Sequence, residues 1–165
     1  IEWSNIKINV RQMLSLEKVD QLKKTIIIEK LICNADDIHP HEHILEERSN
    51  GLESYLKSLH PWIIVPSILV CHKTNVIIDG HHRYYVLKKL NFKQMPITKI
   101  DYDNENIATH MIKGRGLSKE DIINTALEKK LLLPKSTQHH LSLNENIMPI
   151  IILSDFRVIK WIKQN

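Results

Sequence analysis

The 165-residue sequence is 42% apolar and 25% charged, the composition of a soluble globular protein, which excludes a largely disordered chain. Its length suits one compact domain. Lys and Arg exceed Asp and Glu by 23 to 19, and the resulting net charge of +4 suits a phosphate-bearing ligand but does not by itself indicate nucleic-acid binding. Cys33 and Cys71 are far apart, so neither a disulfide framework nor a zinc ribbon is indicated.

The apolar runs are short. The longest, around Ile150 to Leu153, is far below the length that spans a membrane. No signal-peptide pattern is visible. We therefore expect a cytoplasmic protein with no membrane partner.

The beginning of the chain predicts a helix and then a strand. Leu16, Val19 and Leu22 are spaced like one face of a short amphipathic helix, so residues 1–24 are expected to form a helical N-terminal extension. β-branched residues are frequent in residues 25–32, which predicts a strand. Residues 25–165 are expected to form a single domain.

The next segments predict a loop, a helix and a hairpin. Residues 34–43 are polar and are interrupted by Pro40, which favours a loop or a single helical turn. A helix with one apolar face follows and ends at His60-Pro61, and its apolar positions are Leu52, Tyr55, Leu56 and Leu59. Two apolar runs, 66–71 and 75–78, flank a hairpin-like connection.

The second half continues the alternation of helices and strands. A helix is predicted over 81–90 and a strand over 95–100. Ser118 with Asp121 resembles a helix start, and Pro134 is expected to end that helix. Residues 148–162 are strand-like. The predicted class is α/β or α+β, with a small mixed sheet flanked by helices.

The most informative string is VIIDGHHR, residues 76–83, which predicts a buried strand, a turn and a helix start. A helix N-terminus attracts phosphate through its unpaired N–H groups, and Gly80 lets the backbone approach a ligand closely. Arg83 can bind phosphate oxygens, with His81 and His82 beside it. Asp79 can hold Mg²⁺ or orient a hydroxyl. The alternative is an ordinary turn with solvated histidines.

A second string, IHPHEH at residues 38–43, places Glu42 among histidines. Glu42 can act as a general base that takes a proton from an attacking hydroxyl. Two alternatives stay open. Glu42 can be a solvated loop carboxylate, or His39, His41 and His43 can together bind a metal.

A third string is PKSTQHH, at residues 134–140. Lys135, Ser136, Thr137 and His139 offer hydrogen-bond donors suited to an anionic group. The alternative is a polar loop that follows a helix. The three tryptophans are expected to be packing residues, and they are Trp3, Trp62 and Trp161.

The D-G-H-H-R string, followed by a helix ending K-K-L-N and a strand beginning M-P-I, resembles the ParB/sulfiredoxin-like superfamily. The turn and helix start of that fold bind nucleotide phosphates. The string Pro40-His41-Glu42 and the string at residues 134–139 narrow the resemblance to the free L-serine kinases. Those enzymes form O-phospho-L-serine with ATP or ADP as the phosphoryl donor.

The resemblance implies a role for each matching residue. Glu42 would activate the serine hydroxyl, and Asp79 would assist that proton transfer or hold Mg²⁺. The nucleotide phosphates would be gripped by Gly80, His81, His82 and Arg83. The transferred phosphate would be held by Lys135, Ser136, Thr137 and His139. Gln138 departs from the arginine of the archaeal relatives, and residues 101–113 lack the tryptophan that helps to hold serine.

Other members of the superfamily suggest different functions. A ParB-like, DNA-associated nucleotide-binding regulator without kinase activity would need a helix-turn-helix after Leu131, where the sequence is strand-like. A sulfiredoxin-like reductase would need a reactive cysteine beside the phosphate site, whereas Cys71 is expected to pack. The kinase hypothesis carries one spatial prediction: residues 34–43 must pack beside the start of the helix that follows Gly80.

Overall fold

The computed structural model describes residues 10–111 and 117–161. The helices are α1 (Val10–Ile26), α2 (Glu46–Ser58), α3 (His81–Lys89) and α4 (Lys119–Leu127), with short 3₁₀ helices at Ala35–Asp37 and Ile150–Leu153. The strands are β1 (Ile27–Asn34), β2 (Trp62–Pro66), β3 (Ile68–Cys71), β4 (Ile77–Asp79), β5 (Gln94–Ile100), β6 (Ile107–Met111), β7 (Thr137–Leu143), β8 (Asn146–Pro149) and β9 (Phe156–Lys160).

The central sheet has four strands in the order β1-β5-β3-β4. β5 is antiparallel to β1 and parallel to β3, and β4 is antiparallel to β3. Parallel neighbours require a crossover connection, and α3 lies in the connection from β4 to β5. The predicted small mixed sheet with flanking helices is therefore confirmed. Because β4 is an edge strand, the end of β4 and the start of α3 lie at one edge of the sheet.

The two faces of this sheet are covered by two apolar clusters. Side chains alternate between faces along a strand, so β3 sends Ile68 and Val70 into one cluster and Leu69 and Cys71 into the other. The first cluster contains residues of α2 and α3, and the second contains residues of α1, α4 and β7. All four β3 residues are buried, as expected of a central strand covered on both faces.

Two smaller sheets complete the described structure. β2 pairs with β9, and β6, β7 and β8 form an antiparallel sheet. β7 contains most of the third sequence motif, residues 134–140. Across residues 10–111 and 117–161, we find no helix with both the length and the apolar character that crossing a membrane requires.

Most predicted elements are present. The helix predicted around Leu16, Val19 and Leu22 is α1, and its residues Leu22 and Ile26 are buried in the second cluster. Leu16 is 65% exposed, so its expected place on the apolar face is wrong, and residues 1–9 of the predicted extension lie outside the described residues. The predicted hairpin is β3–β4, and the helix and strand predicted after Gly80 are α3 and β5. Residues 34–43 contain a single 3₁₀ turn, as expected.

Two predictions about local structure are wrong, and one strand was missed. Helix α4 ends at Leu127 rather than at Pro134, because Lys129 adopts a left-handed backbone with φ 57°. The amides of Lys129 and Lys130 then donate to the carbonyls of Ala126 and Thr125, which closes the last turn. Residues 137–143 form a strand where a polar loop was expected. β2 was not predicted.

The tryptophans also differ from one another. Trp161 is partly buried and packs against the first cluster beside Phe92, as predicted. Trp62 is 48% exposed, so its predicted role as a packing residue is wrong. It lies on the outer face of the β2–β9 ribbon, where the ammonium of Lys160 is 5.9 Å from its ring centre. Trp3 lies outside the described residues.

Candidate active site

The segment that carries Glu42 is held by backbone hydrogen bonds at both ends. His39 donates to the carbonyl of Asn75 at 2.9 Å, and Ile77 donates to the carbonyl of His39 at 2.8 Å. Leu132 donates to the carbonyl of His41, and His43 donates to the carbonyl of Leu132, both at 2.8 Å. The segment therefore runs between the start of β4 and the chain that leads into β7.

The same segment is anchored to the start of α3 by two histidine side chains. The Nε2 atom of His81 accepts a hydrogen bond from the backbone N–H of His41 at 3.1 Å. The Nε2 atom of His82 accepts one from the N–H of Leu45 at 3.0 Å. The predicted packing of residues 34–43 beside the start of α3 is thus confirmed.

A cleft of about 670 Å³ opens between these elements. Nine of the ten residues predicted for the site line it, and they are Glu42, Asp79, Gly80, His81, His82, Arg83, Lys135, Thr137 and His139. Ser136 does not line it, because its hydroxyl donates instead to the carbonyl of Leu133. The structure therefore brings the three sequence motifs to one place.

Glu42 is buried, with 7% of its surface exposed, and both of its carboxylate oxygens accept hydrogen bonds. Oε1 accepts from the backbone N–H of Lys135, and Oε2 accepts from the hydroxyl of Thr137 at 3.0 Å. Burial raises the pKa of Glu42, the bonds from Lys135 and Thr137 oppose that rise, and the charge of Asp79 adds to it. A carboxyl group with a raised pKa is a better proton acceptor near neutral pH than a solvated one.

The start of α3 is built around Gly80, whose backbone has φ 112° and ψ 27°. No side chain caps the helix N-terminus at Gly80, and the first residues of the helix line the cleft. An added Cβ at Gly80 would lie 2.7 Å from Nη2 of Arg83. The backbone conformation therefore requires glycine here, and an added Cβ would also displace the end of the Arg83 side chain.

Arg83 lies folded back against the turn that precedes α3. Its Nη2 atom donates to the carbonyl of Ser67 at 3.2 Å and to the carboxylate of Asp79 at 3.3 Å. Burial lowers the pKa of Arg83, and the Asp79 carboxylate opposes that change. The guanidinium thus ties the ends of β4 and α3 together while it lines the cleft.

Two buried histidines, His41 and His81, and the half-buried His139 lie close to one another near Glu42. Burial lowers the pKa of His41 to about 4 and that of His139 to about 3, and it lowers the pKa of His81 well below the ordinary value. The rings of His41 and His81 meet edge to face at 4.5 Å. His139 Nε2 is hydrogen-bonded to the hydroxyl of Tyr102 at 2.8 Å. These rings are neutral at physiological pH, so they supply hydrogen bonds rather than positive charge.

The metal interpretation of the histidine string is wrong. His41 is fully buried, whereas His43 is exposed, and the alternation expected of one face does not occur. Within residues 10–111 and 117–161, no group of three or more histidine, cysteine or carboxylate side chains is arranged to hold a metal ion.

Two cations complete the lining of the cleft. Lys135 was expected, and its left-handed backbone with φ 56° directs its N–H to Glu42. Arg48, in the first turns of α2, was not expected. Burial lowers the pKa of His82, and the charge of Arg48 is the next largest cause. Nothing in the sequence around Arg48 distinguishes it from an ordinary surface arginine, because its place depends on how α2 packs.

An apolar wall was also missed. Ile147, Met148 and the residues that follow them to Ile151 also line the cleft. They belong to β8 and to the 3₁₀ helix after it, a part of the chain that the sequence describes only as strand-like. The cleft is therefore lined by both apolar and charged side chains.

Comparison with known proteins identifies relatives of two kinds. The chain is 34% identical over 94 residues to an ATP-dependent L-serine kinase of Staphylothermus marinus, an alignment that covers 53% of this chain and 37% of the relative. It is 31% identical over 70 residues to a ParB-like protein of Sulfolobus acidocaldarius, which covers 42% of this chain and 34% of the relative. The matched region is thus little more than a third of each relative. No protein-family model matches the chain.

Solved structures share the fold at low sequence identity. A variant of a free serine kinase in complex with AMP superposes with a TM-score of 0.61 at 12% identity, covering 74% of this chain and 92% of that one. A conserved hypothetical protein from Pyrococcus furiosus superposes with a TM-score of 0.64 at 14% identity, covering 81% and 96%. The fold is that of the free serine kinases, and the resemblance to these enzymes and to ParB-like proteins is confirmed.

Proposed function

We propose that this protein transfers a phosphoryl group from ATP, or from ADP, to the hydroxyl of free L-serine and so forms O-phospho-L-serine. The observation that carries the proposal is the meeting of a buried carboxylate, Glu42, with the uncapped start of α3 across one cleft. The serine kinase of Staphylothermus marinus supports the reaction, and the free serine kinase structures in complex with AMP or ADP support a nucleotide as donor.

The nucleotide phosphates bind at the start of α3 in this proposal. The first N–H groups of α3, around His81 and His82, form an anion site because the helix dipole is positive there. Arg48 and Lys135 add positive charge from two other elements that line the same cleft. Arg83 holds Asp79 in place through its guanidinium and lines the same cleft. Phosphoryl transfer depends mostly on this kind of positioning and charge neutralisation.

Glu42 acts as the general base. The serine oxygen attacks the terminal phosphorus, the bond from that phosphorus to the bridging oxygen breaks, and the shortened nucleotide leaves with the electron pair. The hydroxyl proton passes to the carboxylate of Glu42. Such a base supplies about 10²–10⁴-fold in rate, and the raised pKa of Glu42 suits the task.

The residues at the end of β4 fit a Mg²⁺ ion that is held mainly by phosphates. Mg²⁺ in such sites uses one or two carboxylates and leaves its other positions to substrate phosphates and water. Asp79 lines the cleft, and hydrogen bonds from Arg83 to its side chain involve only Oδ2. Bound there, Mg²⁺ would neutralise charge on the transferring phosphoryl group.

The residues from Lys135 to His139, which lead into and begin β7, have different roles in this proposal from those that the sequence predicts. Lys135 holds the transferred phosphate, and His139 lines the same cleft as a neutral donor or acceptor. The hydroxyl of Thr137 is directed to Glu42, and that of Ser136 to a backbone carbonyl. We infer that phosphate binding by this segment rests on Lys135 and on backbone N–H groups.

The remaining predictions concern the extent and place of the activity. We propose that residues 25–165 form the catalytic domain and that residues 1–24 are an extension of it. A kinase of free serine needs a nucleotide supply, so we place the protein in the cytoplasm.

A ParB-like regulatory function is the second candidate, because one relative is a ParB-like protein. That function predicts nucleotide binding and salt-sensitive binding to duplex DNA without turnover. The described chain after Leu131 contains strands and one 3₁₀ helix but no α-helix, so it offers no recognition helix.

One incubation separates the two candidates. The protein is mixed with Mg²⁺, either ATP or ADP, and each of a panel of amino acids, and the products are weighed by mass spectrometry. We expect a product with the mass of phosphoserine from L-serine and with one of the two nucleotides. Nucleotide binding without any phosphorylated amino acid, together with DNA binding, would support the regulatory function instead.

A further inference from the structure

We propose that His41 is a positioning residue, which fixes the hydroxyl of Thr137 so that this hydroxyl always donates to Glu42. The inference rests on the proposed function, in which Glu42 is the base. It assigns a role to two residues whose side chains are buried. The sequence predicts phosphate binding for Thr137 and no catalytic role for His41.

The three side chains form one continuous chain of hydrogen bonds. The hydroxyl of Thr137 lies 3.0 Å from Oε2 of Glu42 and 3.2 Å from Nε2 of His41. His41 is fully buried, and Thr137 is 8% exposed, so water has little access to either contact. The neighbouring backbone fixes the ring further, since the N–H of His41 is bonded to His81.

Counting hydrogens gives the direction of each bond. A threonine hydroxyl has one hydrogen, and an ionised carboxylate can only accept. When Glu42 is ionised, Thr137 must therefore donate to Oε2, and the contact with His41 is satisfied only if Nε2 carries the ring hydrogen. The Nε2–H tautomer of a neutral His41 thus holds the hydroxyl hydrogen pointed at Glu42.

The opposite tautomer has one group in its favour. The carbonyl of Ile77 lies near the ring and would favour a hydrogen on Nδ1. Nδ1 nevertheless has no hydrogen-bond partner among the described residues, whereas Nε2 has one. We infer that the contact with Thr137 decides the tautomer.

The consequence is a base with both oxygens engaged from behind. Thr137 holds Oε2 and the N–H of Lys135 holds Oε1, while Glu42 itself lines the cleft. Other titratable or charged groups also line this cleft: Asp79 from β4, His81, His82 and Arg83 from α3, Arg48 from α2, Lys135, and His139 and His140 from β7. The charge of Asp79 raises the pKa of Glu42, and the hydrogen bond from Thr137 lowers it.

Four variants test the proposal. Thr137→Val removes the hydroxyl at nearly constant volume, and Thr137→Ser restores it. His41→Leu removes the Nε2–H donor, and His41→Gln supplies an amide donor. Thr109→Val is the matched control. Thr109 lies on β6, the strand that pairs with β7, and it does not line the cleft. Its hydroxyl donates to the carbonyl of Leu117.

The activity readout is the pH dependence of kcat with serine. We expect Thr137→Val to lower kcat about tenfold or more, the scale of one hydrogen bond to a charged group, and to move the acid limb to higher pH. Thr137→Ser and His41→Gln should recover most of the rate, and His41→Leu should not. An unchanged acid limb in Thr137→Val, or equal loss in Thr109→Val, would overturn the proposal.

A second readout is independent of turnover. Nitrogen NMR of the wild-type protein with labelled histidine reports which ring nitrogen of His41 carries the hydrogen. We expect Nε2–H at pH 7, and a hydrogen on Nδ1 would overturn the inference even if the protein is a kinase. If instead no amino acid is phosphorylated while Nε2–H and a Thr137-dependent pKa of Glu42 are observed, the proposed function fails and the positioning holds.

Discussion

Replacement of Gly80 by alanine tests how the start of α3 is built. A non-glycine residue at φ 112° is strained, which costs about 1–3 kcal/mol. The new Cβ would also lie 2.7 Å from Nη2 of Arg83, and the guanidinium cannot move without losing its bonds to Asp79 and Ser67. One such bond is worth about 1.5 kcal/mol or more. We expect the free energy of unfolding to fall by at least about 2 kcal/mol.

The assay is urea unfolding of Gly80→Ala beside Gly51→Ala. Gly51 lies inside α2 with nothing within 4 Å of an added Cβ, so alanine there should raise stability by about 0.5–1 kcal/mol. For a protein of this size, a loss of 2 kcal/mol corresponds to a fall in Tm of roughly 4–8 °C. Equal stability of the two variants would refute the argument that Gly80 is held against Arg83.

Two further predictions concern charge. Arg48→Ala should raise the KM for the nucleotide about tenfold with little change in kcat. The control is Lys93→Ala, which removes an exposed charge outside the cleft and should leave the KM unchanged. Equal effects of the two substitutions on the KM would show that Arg48 does not contact the phosphates. Stability should fall between pH 6.5 and 4, because His41, which is buried, and His139, which is half-buried, stay neutral when folded and gain a proton on unfolding, by up to about 1.4 kcal/mol per pH unit for each. Glu42, whose folded pKa is raised, opposes this fall just above pH 4.5, and equal urea midpoints at pH 7 and pH 5 would contradict the burial of the two histidines.

The sequence predicts the elements whose signals are local. The helix α1 and the D-G turn before α3 are each encoded within a few residues, and both are found where expected, although Leu16 of α1 is exposed. The end of α4 was misplaced because Lys129 takes a left-handed backbone, which lysine rarely adopts and which only the closed last turn explains.

The site was predicted only in part, because only some of its residues lie in local sequence motifs. Glu42 and the start of α3 carry recognisable strings, and the structure brings them together. Arg48 carries no such string, because it enters the cleft only through the packing of α2. The directions of the Thr137 and Arg83 side chains likewise depend on partners distant in sequence, Glu42 and Ser67.

The central claim is that Glu42 is the base of a phosphoryl transfer to serine. Glu42→Gln keeps the size of the side chain and its ability to accept from Thr137 or Lys135, but it cannot take a proton. We expect this variant to bind ATP as the wild type does and to form O-phospho-L-serine about 10²–10⁴-fold more slowly. Turnover at the wild-type rate with unaltered ATP binding would contradict the account.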